Sequence, residues 1–268
     1  MKSVQKAVGT ILDEIVALRR ERLEQARREA PLEALQRAAE RRADRRDFSA
    51  AISGPGVRVI AEMKEASPSA GLLRPEYCSE EIAEEYEAAG ACALSVLTER
   101  DYFQGSLDDL RKARAAARVP VLRKDFIVDA YQVYESVAAG ADALLLIVAA
   151  LARRELRSLI ELSRRLNVAT LVEVHTEEEL DQALAAGASL IGVNNRNLKT
   201  LEVDLETSFR LREKIPAGCL TVTESGIRSS EDLKRLLGAG YHAALIGERF
   251  MKSEHPGEAL AEFLRDCR

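Results

Sequence analysis

The sequence predicts an α/β protein, an eightfold (β/α) barrel of the TIM type, preceded by a helical extension. From Val57 onward, eight short runs of β-branched residues and leucine alternate with charged, helix-forming stretches, a pattern typical of a parallel sheet. A small-residue motif around one glycine recurs at 88–94, 138–144, 185–191 and 238–244. This regular spacing favours a closed barrel over a doubly wound sheet, which would more often carry a Gly-x-Gly-x-x-Gly turn after a strand.

The eight predicted strands are short, and each is followed by enough residues for a helix. They span 57–62, 93–98, 119–125, 143–148, 170–174, 190–194, 220–225 and 243–248. In each copy of the motif we expect a helix to end at the glycine before the chain enters an even-numbered strand. We therefore assign residues 49–268 to one barrel domain, which would carry the chemistry.

Residues 1–48 differ from the barrel in composition. Lys and Arg total 12 in this segment and Asp and Glu total 9, so it is net positive, whereas the whole chain carries −5. Helical spacing predicts an amphipathic helix whose apolar face contains Val8, Ile11, Leu12, Ile15 and Leu18. A second helix is predicted after Pro31. We interpret the Arg and Glu blocks as solvated helical faces with i,i+4 pairs.

The composition excludes several classes of protein. The 268 residues are 47% apolar, and 39 basic against 44 acidic residues leave no basic excess to hold nucleic acid. No apolar run approaches the ~18 residues of a membrane span, and Asp13 and Glu14 interrupt the apolar stretch where a secretory signal would lie. Four distant cysteines predict neither disulfides nor a zinc site. We expect a cytoplasmic protein without a nucleic-acid or membrane partner.

Charged side chains occupy the ends of the predicted strands, where barrel enzymes place their chemistry. Because side chains alternate with period two, six ionisable groups and one amide should converge on the barrel mouth. These are Glu62, Lys64, Lys124, Glu173, Asn194, Arg196 and Glu224. Any single one of these residues could belong to an ion pair that only closes the top of the barrel. For the whole set we favour general acid–base catalysis, with lysines as acids and carboxylates as bases, because buried charge is costly. No metal-ligand spacing is present.

A phosphate site is predicted after the seventh and eighth strands. Glu-Ser-Gly-Ile at 224–227 and Ile-Gly-Glu at 246–248 place glycines where backbone N–H groups can approach an anion. Apolar residues at the same strand ends suit a flat aromatic part of a substrate, although an ordinary core is the alternative. They are Pro68, Phe103, Phe126, Leu145, Ile147 and Leu198.

Six stretches in this order resemble one family. They are 62–69 (Glu-Met-Lys-Glu-Ala-Ser-Pro-Ser), 97–106, 122–127 (Leu-Arg-Lys-Asp-Phe-Ile), 172–175, 192–198 (Gly-Val-Asn-Asn-Arg-Asn-Leu) and 223–227 (Thr-Glu-Ser-Gly-Ile). The set is similar to indole-3-glycerol phosphate synthase of tryptophan biosynthesis from about residue 55 to 250, and the N-terminal helices match the family's extension. The resemblance implies a carboxy-lyase that closes the ring of 1-(2-carboxyphenylamino)-1-deoxyribulose 5-phosphate, with loss of CO2 and water and with no cofactor.

The resemblance also implies roles for the predicted residues. Lys124 would be the general acid at the substrate carbonyl, and Lys64 a second acid and phosphate partner. Glu62 and Glu173 would remove protons and stabilise a cationic intermediate. Substrate orientation would fall to Asn194, Arg196, Glu224 and Ser225. The phosphate or carboxylate would lie near Ser67, Gly226, Gly247 and Glu248. The aromatic ring would contact Pro68, Phe103, Phe126, Leu145, Ile147, Leu198 and Leu201.

One departure from the family and two rival functions are visible. Ala70 stands where the family often has a lysine before glycine, so the first loop is less positive. Another phosphosugar barrel, such as the isomerase of the preceding step, would need a cysteine or aspartate acid–base pair at the ends of the first and sixth strands, where Glu62 and Asn194 stand. A catalytically idle barrel that docks a partner through residues 1–48 would lack one of the central lysines or glutamates. We expect a monomer or weak homodimer acting on a small phosphorylated substrate.

Overall fold

The computed structural model describes residues 10–68, 70–198 and 200–267, so Val8 of the predicted apolar face lies outside the described part. Eight parallel strands close into a barrel, which confirms the predicted fold class. They are β1 (Val59–Met63), β2 (Ala93–Leu97), β3 (Val121–Lys124), β4 (Ala143–Ile147), β5 (Ala169–Val174), β6 (Leu190–Asn194), β7 (Leu220–Glu224) and β8 (Ala243–Ile246). Strand β1 pairs with both β2 and β8, which closes the sheet.

Several strands are shorter than the sequence predicts, for local reasons. Strand β3 begins after Pro120 because proline has no N–H to donate to the ladder. Strand β7 ends before Ser225, whose φ of 65° lies outside the extended region. Strand β8 ends before Gly247, after which a short helix begins at Glu248.

Three helices precede the barrel: α1 (Ile11–Glu29), α2 (Leu32–Arg41) and α3 (Phe48–Ser53). Helix α2 begins directly after Pro31, as predicted. Phe48 and Ile52 of α3 join the apolar cluster inside the barrel together with Cys92, just before β2. The boundary predicted at residue 48 falls on the first residue of this helix and stays a prediction.

Further helices follow the strands and cover the barrel. They are α4 (Ser79–Ala89), α5 (Leu107–Ala116), α6 (Ala130–Ala139), α7 (Arg153–Arg165), α8 (Glu177–Ala185), α9 (Glu206–Arg212), α10 (Ser230–Gly238), α11 (Glu248–Met251) and α12 (Pro256–Asp266). Within the described ranges, no helix is long and apolar enough to cross a lipid bilayer.

Glycines of the repeated motif turn each helix toward the next strand. Gly90, Gly140, Gly187 and Gly240 have φ values of 100°, 104°, 87° and 99°, in the left-handed region. Each follows a helix and precedes an even-numbered strand, as the motif predicts. A side chain with a Cβ is disfavoured in this conformation, so these corners require glycine.

The core has two layers, one inside the barrel and one between the strands and the helices. Ile60, Leu122, Leu145 and Leu171 belong to the inner cluster, whereas neighbours of opposite parity, such as Ala61, belong to the outer one. This alternation follows from the period of two along a strand. It also fixes which residues point into the barrel mouth at the strand ends.

Helix α1 is fixed at the C-terminal end of the barrel by polar contacts. Arg19 Nη2 lies 2.8 Å from Asp125 Oδ2, directly after β3. The Tyr131 hydroxyl donates to the carbonyls of Ala26 and Ala30, at 2.8 and 2.9 Å. These two attachments place the first turns of α1 beside the open end of the barrel.

Candidate active site

A cavity opens at the C-terminal ends of the barrel strands. Leu201 lines it, and so do the eighteen other site residues chosen from the sequence, so the fold brings the complete predicted set together. Those eighteen are Glu62, Lys64, Ser67, Pro68, Phe103, Lys124, Phe126, Leu145, Ile147, Glu173, Asn194, Arg196, Leu198, Glu224, Ser225, Gly226, Gly247 and Glu248. Barrel geometry explains the convergence, because every parallel strand ends at the same rim.

Lys124, the last residue of β3, lies between two carboxylates from across the barrel. Its Nζ is 3.2 Å from Glu173 Oε2 at β5 and 3.2 Å from Glu224 Oε2 at β7. The side chain is 14% exposed and the two carboxylates are 1% and 2% exposed, so water screens these charges weakly. The arrangement is a nearly dry ammonium held by two acids.

These contacts shift the pKa of each group in a different direction. Burial lowers the pKa of Lys124, but Glu173, Glu224 and Glu62 outweigh it, so the net pKa lies above its ordinary value. Burial raises the pKa of Glu173, yet Lys124 and His175 hold it well below its usual range. Burial, partly opposed by Lys124 and reinforced by Glu173, raises the pKa of Glu224 to about 7. Two neighbouring carboxylates therefore have different affinities for protons, as acid–base sites require.

A second ion pair lies at the end of β1. Lys64 Nζ is 2.5 Å from Glu62 Oε1, and both side chains are largely buried. The pair leaves Lys64 at the cavity wall on the β8 side, where Gly247 and Glu248 also line the cavity. Lys64 and Lys124 therefore reach the cavity from different strands, and each can contact a different part of a bound substrate.

Two glycines make room for the buried carboxylates. A Cβ at Gly192 would lie 2.3 Å from Glu224 Oε1, and a Cβ at Gly247 would lie 2.5 Å from Glu62 Oε1. Gly192 was not among the predicted site residues, although it lies within the stretch 190–194 that was predicted as a strand. Only a residue without a side chain fits against Glu224 here without displacing it.

The loops after β6 and β7 complete the polar rim. Asn194 Oδ1 accepts the backbone N–H of Arg196 at 3.0 Å, and Arg196 Nη1 donates to the Leu201 carbonyl at 3.2 Å. Arg196 Nη2 lies 3.8 Å from Glu248 Oε2. Ser225 and Gly226 have φ values of 65° and 81°, so the chain turns sharply as it leaves β7.

The same cavity also has an apolar wall. The rings of Phe103 and Phe126 are 6.3 Å apart, and Pro68, Leu145 and Ile147 line the same cavity. Phe103 belongs to the loop after β2, whose carboxylate Glu99 is fully buried. Glu99 accepts the backbone N–H groups of Asp101, Tyr102 and Phe103 at 2.9, 2.7 and 3.2 Å. The buried carboxylate thus fixes the backbone that presents Phe103.

Several cavity residues were not selected from the sequence. The first turns of α1 contribute Ile11, Leu12 and Ile15, whose helical spacing predicted an apolar face but not what it would cover. Leu97, Leu245 and Arg249 also line the cavity. His175 follows β5, two residues after Glu173 and outside the cavity, and was not selected from the sequence either.

Comparisons with known proteins show which family this chain resembles. A sequence model of the family Indole-3-glycerol phosphate synthase matches residues 12–263. The indole-3-glycerol phosphate synthase of Polaromonas naphthalenivorans (strain CJ2) is 50% identical over 259 residues, covering 95% of this chain and 98% of the relative. The protein of the same name from Chromobacterium violaceum is 50% identical over 258 residues, covering 95% and 97%.

Solved structures with this fold include more distant proteins. Thiamine phosphate pyrophosphorylase from Pyrococcus furiosus has a TM-score of 0.60 at 17% identity, covering 79% of this chain and 95% of that one. A mandelate oxidase variant has a TM-score of 0.62 at 20% identity, covering 91% and 93%. At these identities the likeness shows the barrel fold alone. The family match over nearly the whole described chain, together with relatives at half identity, shows that the chain belongs to the indole-3-glycerol phosphate synthase family.

Proposed function

We propose that Lys124 is the general acid of the reaction that this family catalyses, the conversion of 1-(2-carboxyphenylamino)-1-deoxyribulose 5-phosphate to indole-3-glycerol phosphate, CO2 and water. The observation that carries this proposal is the position of Lys124 Nζ, 3.2 Å from both Glu173 and Glu224 in a cavity with one apolar wall. A charged donor in so dry a site stabilises a developing oxyanion strongly.

The first step forms a carbon–carbon bond. The ring carbon that bears the carboxylate attacks the ketone carbon of the sugar, and the ketone oxygen takes a proton from Lys124. Transfer is favourable although the pKa of Lys124 is raised, because an alkoxide is a stronger base than an amine. The bond to the carboxylate then breaks as CO2 leaves, and its electron pair restores the aromatic ring.

The second stage removes water and a proton. The new hydroxyl takes a proton from a lysine ammonium and leaves as water. Lys64 is the proposed donor of this second proton. The aniline nitrogen stabilises the cation that remains. Loss of a proton from the neighbouring carbon completes the indole. Glu173 is the proposed base, supported by the low pKa that keeps its carboxylate ionised, and Glu62 is placed to assist.

The two ends of the substrate are assigned to opposite sides of the cavity. The aromatic ring is proposed to lie against Pro68, Phe103, Phe126, Leu145, Ile147 and Leu198. The phosphate is proposed to lie near Lys64, Ser67, Ser225 and the backbones of Gly226 and Gly247. Because Lys252 Nζ lies 2.6 Å from the Glu248 carboxylate, Glu248 would offer its backbone N–H rather than its side chain. Asn194, Arg196 and Glu224 would orient the sugar between these ends.

The test uses the absence of tryptophan, since the chain has no Trp and only six Tyr. The carboxyphenylamino substrate is added to wild type and to Lys124→Ala, and indole emission is followed. We expect a loss of at least about 10²-fold in kcat for the variant, the lower range of general acid catalysis. Lys112→Ala, which changes a lysine that is half exposed and pairs with Glu80 and Asp108, is the matched control and should keep wild-type turnover.

Wild-type turnover by a folded Lys124→Ala protein would remove Lys124 from the mechanism. If wild type itself is silent while phosphosugar binding persists, the chain serves another substrate.

We also propose a cellular location and an oligomeric state for the enzyme. We place it in the cytoplasm as a monomer or weak homodimer without a nucleic-acid partner. The net charge of −5 and the four cysteines, each a free thiol, support this placement. Sedimentation of the purified chain tests the oligomeric state.

A further inference from the structure

An imidazole joins Glu173 to a second carboxylate outside the cavity. His175 Nε2 lies 3.3 Å from Glu173 Oε1, and His175 Nδ1 lies 2.9 Å from Glu179 Oε2 on α8. Glu179 Oε2 also accepts the backbone N–H of His175 at 2.7 Å. The His175 side chain is 9% exposed, so this row of three groups is shielded from water.

The two ring nitrogens of His175 meet their carboxylates differently. Nδ1 shares a hydrogen bond with Glu179, whereas Nε2 lies at ion-pair distance from Glu173 without a hydrogen bond, so His175 acts on Glu173 through its charge. Burial lowers the pKa of His175, but Glu173 and Glu179 outweigh it and raise the pKa to about 10. Two carboxylates beside one buried imidazole therefore favour its protonated form.

The carboxylate of Glu173 consequently has a cation on each oxygen. Oε2 faces Lys124 from β3, and Oε1 faces His175 at the end of its own strand. Asn194 from β6 adds a hydrogen bond, and the carboxylate of Glu224 from β7 lies on the far side of Lys124. When Lys124 gives its proton to the substrate, the positive charge on Oε2 is lost and only the charge on Oε1 remains.

We propose that His175, held by Glu179, is a positioning residue that fixes Glu173 and keeps its carboxylate ionised after Lys124 has transferred its proton. The inference rests on the proposed role of Glu173 as the base. It assigns a function to a histidine that lies outside the cavity and to a glutamate on the covering helix. Neither side chain lines the cavity.

The test compares kcat and KM of wild type, His175→Gln and Glu179→Gln between pH 5 and pH 8. A glutamine at 175 keeps a polar N–H group beside Glu173, but it carries no charge. We expect kcat of His175→Gln to fall about tenfold at pH 8 with little change in KM, and to fall further as the pH is lowered, because loss of a neighbouring cation raises the pKa of a carboxylate. Glu179→Gln should show a smaller effect of the same form. His255→Gln, at an exposed histidine, is the control.

Several outcomes would overturn the proposal. They are a ratio of wild-type to variant kcat that does not change with pH, unchanged kcat in a folded His175→Gln protein, or a neutral His175 at pH 8 by nitrogen chemical shift. The chain has three histidines, which makes the assignment of that signal straightforward. Glu173→Gln distinguishes a failure of the proposed base from a failure of the positioning role. If it retains turnover, the proposed base is wrong; if it is inactive while His175→Gln behaves like wild type, only the positioning role fails.

Discussion

Arg19 on α1 and Asp125, the residue after Lys124, form an ion pair with 2.8 Å between Nη2 and Oδ2. Asp125 is fully buried and also pairs with Arg123, at 2.9 Å. The pair ties the helix that contributes Ile11, Leu12 and Ile15 to the strand that carries Lys124. The N-terminal extension is therefore part of the cavity wall and not an appendage.

We expect Arg19→Met to loosen α1 while the barrel stays folded. Asp125 keeps Arg123 as a partner, so the free energy of unfolding should fall by no more than about 1.5–3 kcal/mol, the range for a hydrogen bond to a charged group. The KM should rise by a larger factor than kcat falls, because the part of the cavity wall on α1 moves whereas the general acid Lys124 stays in place. Urea unfolding and steady-state kinetics measure the two effects. Arg157→Met, in an exposed pair with Glu161, should change neither.

We expect Gly192→Ala to abolish most turnover. The added Cβ would lie 2.3 Å from Glu224 Oε1 and 3.1 Å from Leu171 Cδ1, so Glu224 must leave its contact with Lys124. A loss in kcat of at least about tenfold should follow, since small displacements of catalytic groups are costly. The control is Gly218→Ala, where a Cβ meets nothing within 4 Å. Equal activity of the two variants would show that the position of Glu224 is unimportant.

The pKa of Glu224 makes stability depend on pH in a defined direction. Its pKa is raised from 4.5 to about 7 in the folded state, so folding favours the protonated carboxyl. This contribution is complete below pH 4.5 and is lost as the pH rises through 7. Glu224→Gln imitates the protonated acid, so we expect it to match wild type near pH 4 and to be more stable by up to about 3 kcal/mol at pH 8. Unfolding curves of both proteins at the two pH values measure the difference; a gap that widens toward low pH would contradict the assignment.

We expect Glu99→Ala to disorganise the loop that presents Phe103. Three half-buried backbone N–H groups would lose their common charged acceptor, so the melting temperature should fall, with about 1.5–3 kcal/mol of stability lost, the range for a hydrogen bond to a charged group. The KM should rise because Phe103 is no longer fixed against Phe126. Glu99→Asp should have a melting temperature and a KM between those of wild type and Glu99→Ala, because its shorter side chain can still accept some of the three hydrogen bonds. Identical kinetics for wild type and Glu99→Ala would exclude this role.

Much of the fold was accessible from local patterns. The four motif glycines predicted where helices turn into even-numbered strands, and their positive φ values give the physical reason. Period two along β1 and β3 predicted that Glu62, Lys64 and Lys124 would point into the mouth, and they line the cavity. Strand bounds were less accurate, because Pro120 delays the start of β3 and the positive φ of Ser225 ends β7 within runs that look continuous in the sequence.

The sequence by itself determined the barrel and the rim where its charged residues meet, because side-chain alternation and parallel strands leave them only one end to share. The tertiary structure alone decided which of them touch: Lys124 between Glu173 and Glu224, His175 between Glu173 and Glu179, and α1 against Asp125. These contacts join residues from different strands and helices. Their distances follow from how the elements pack and from the cost of leaving a buried charge unpaired, and neither is encoded in a local period.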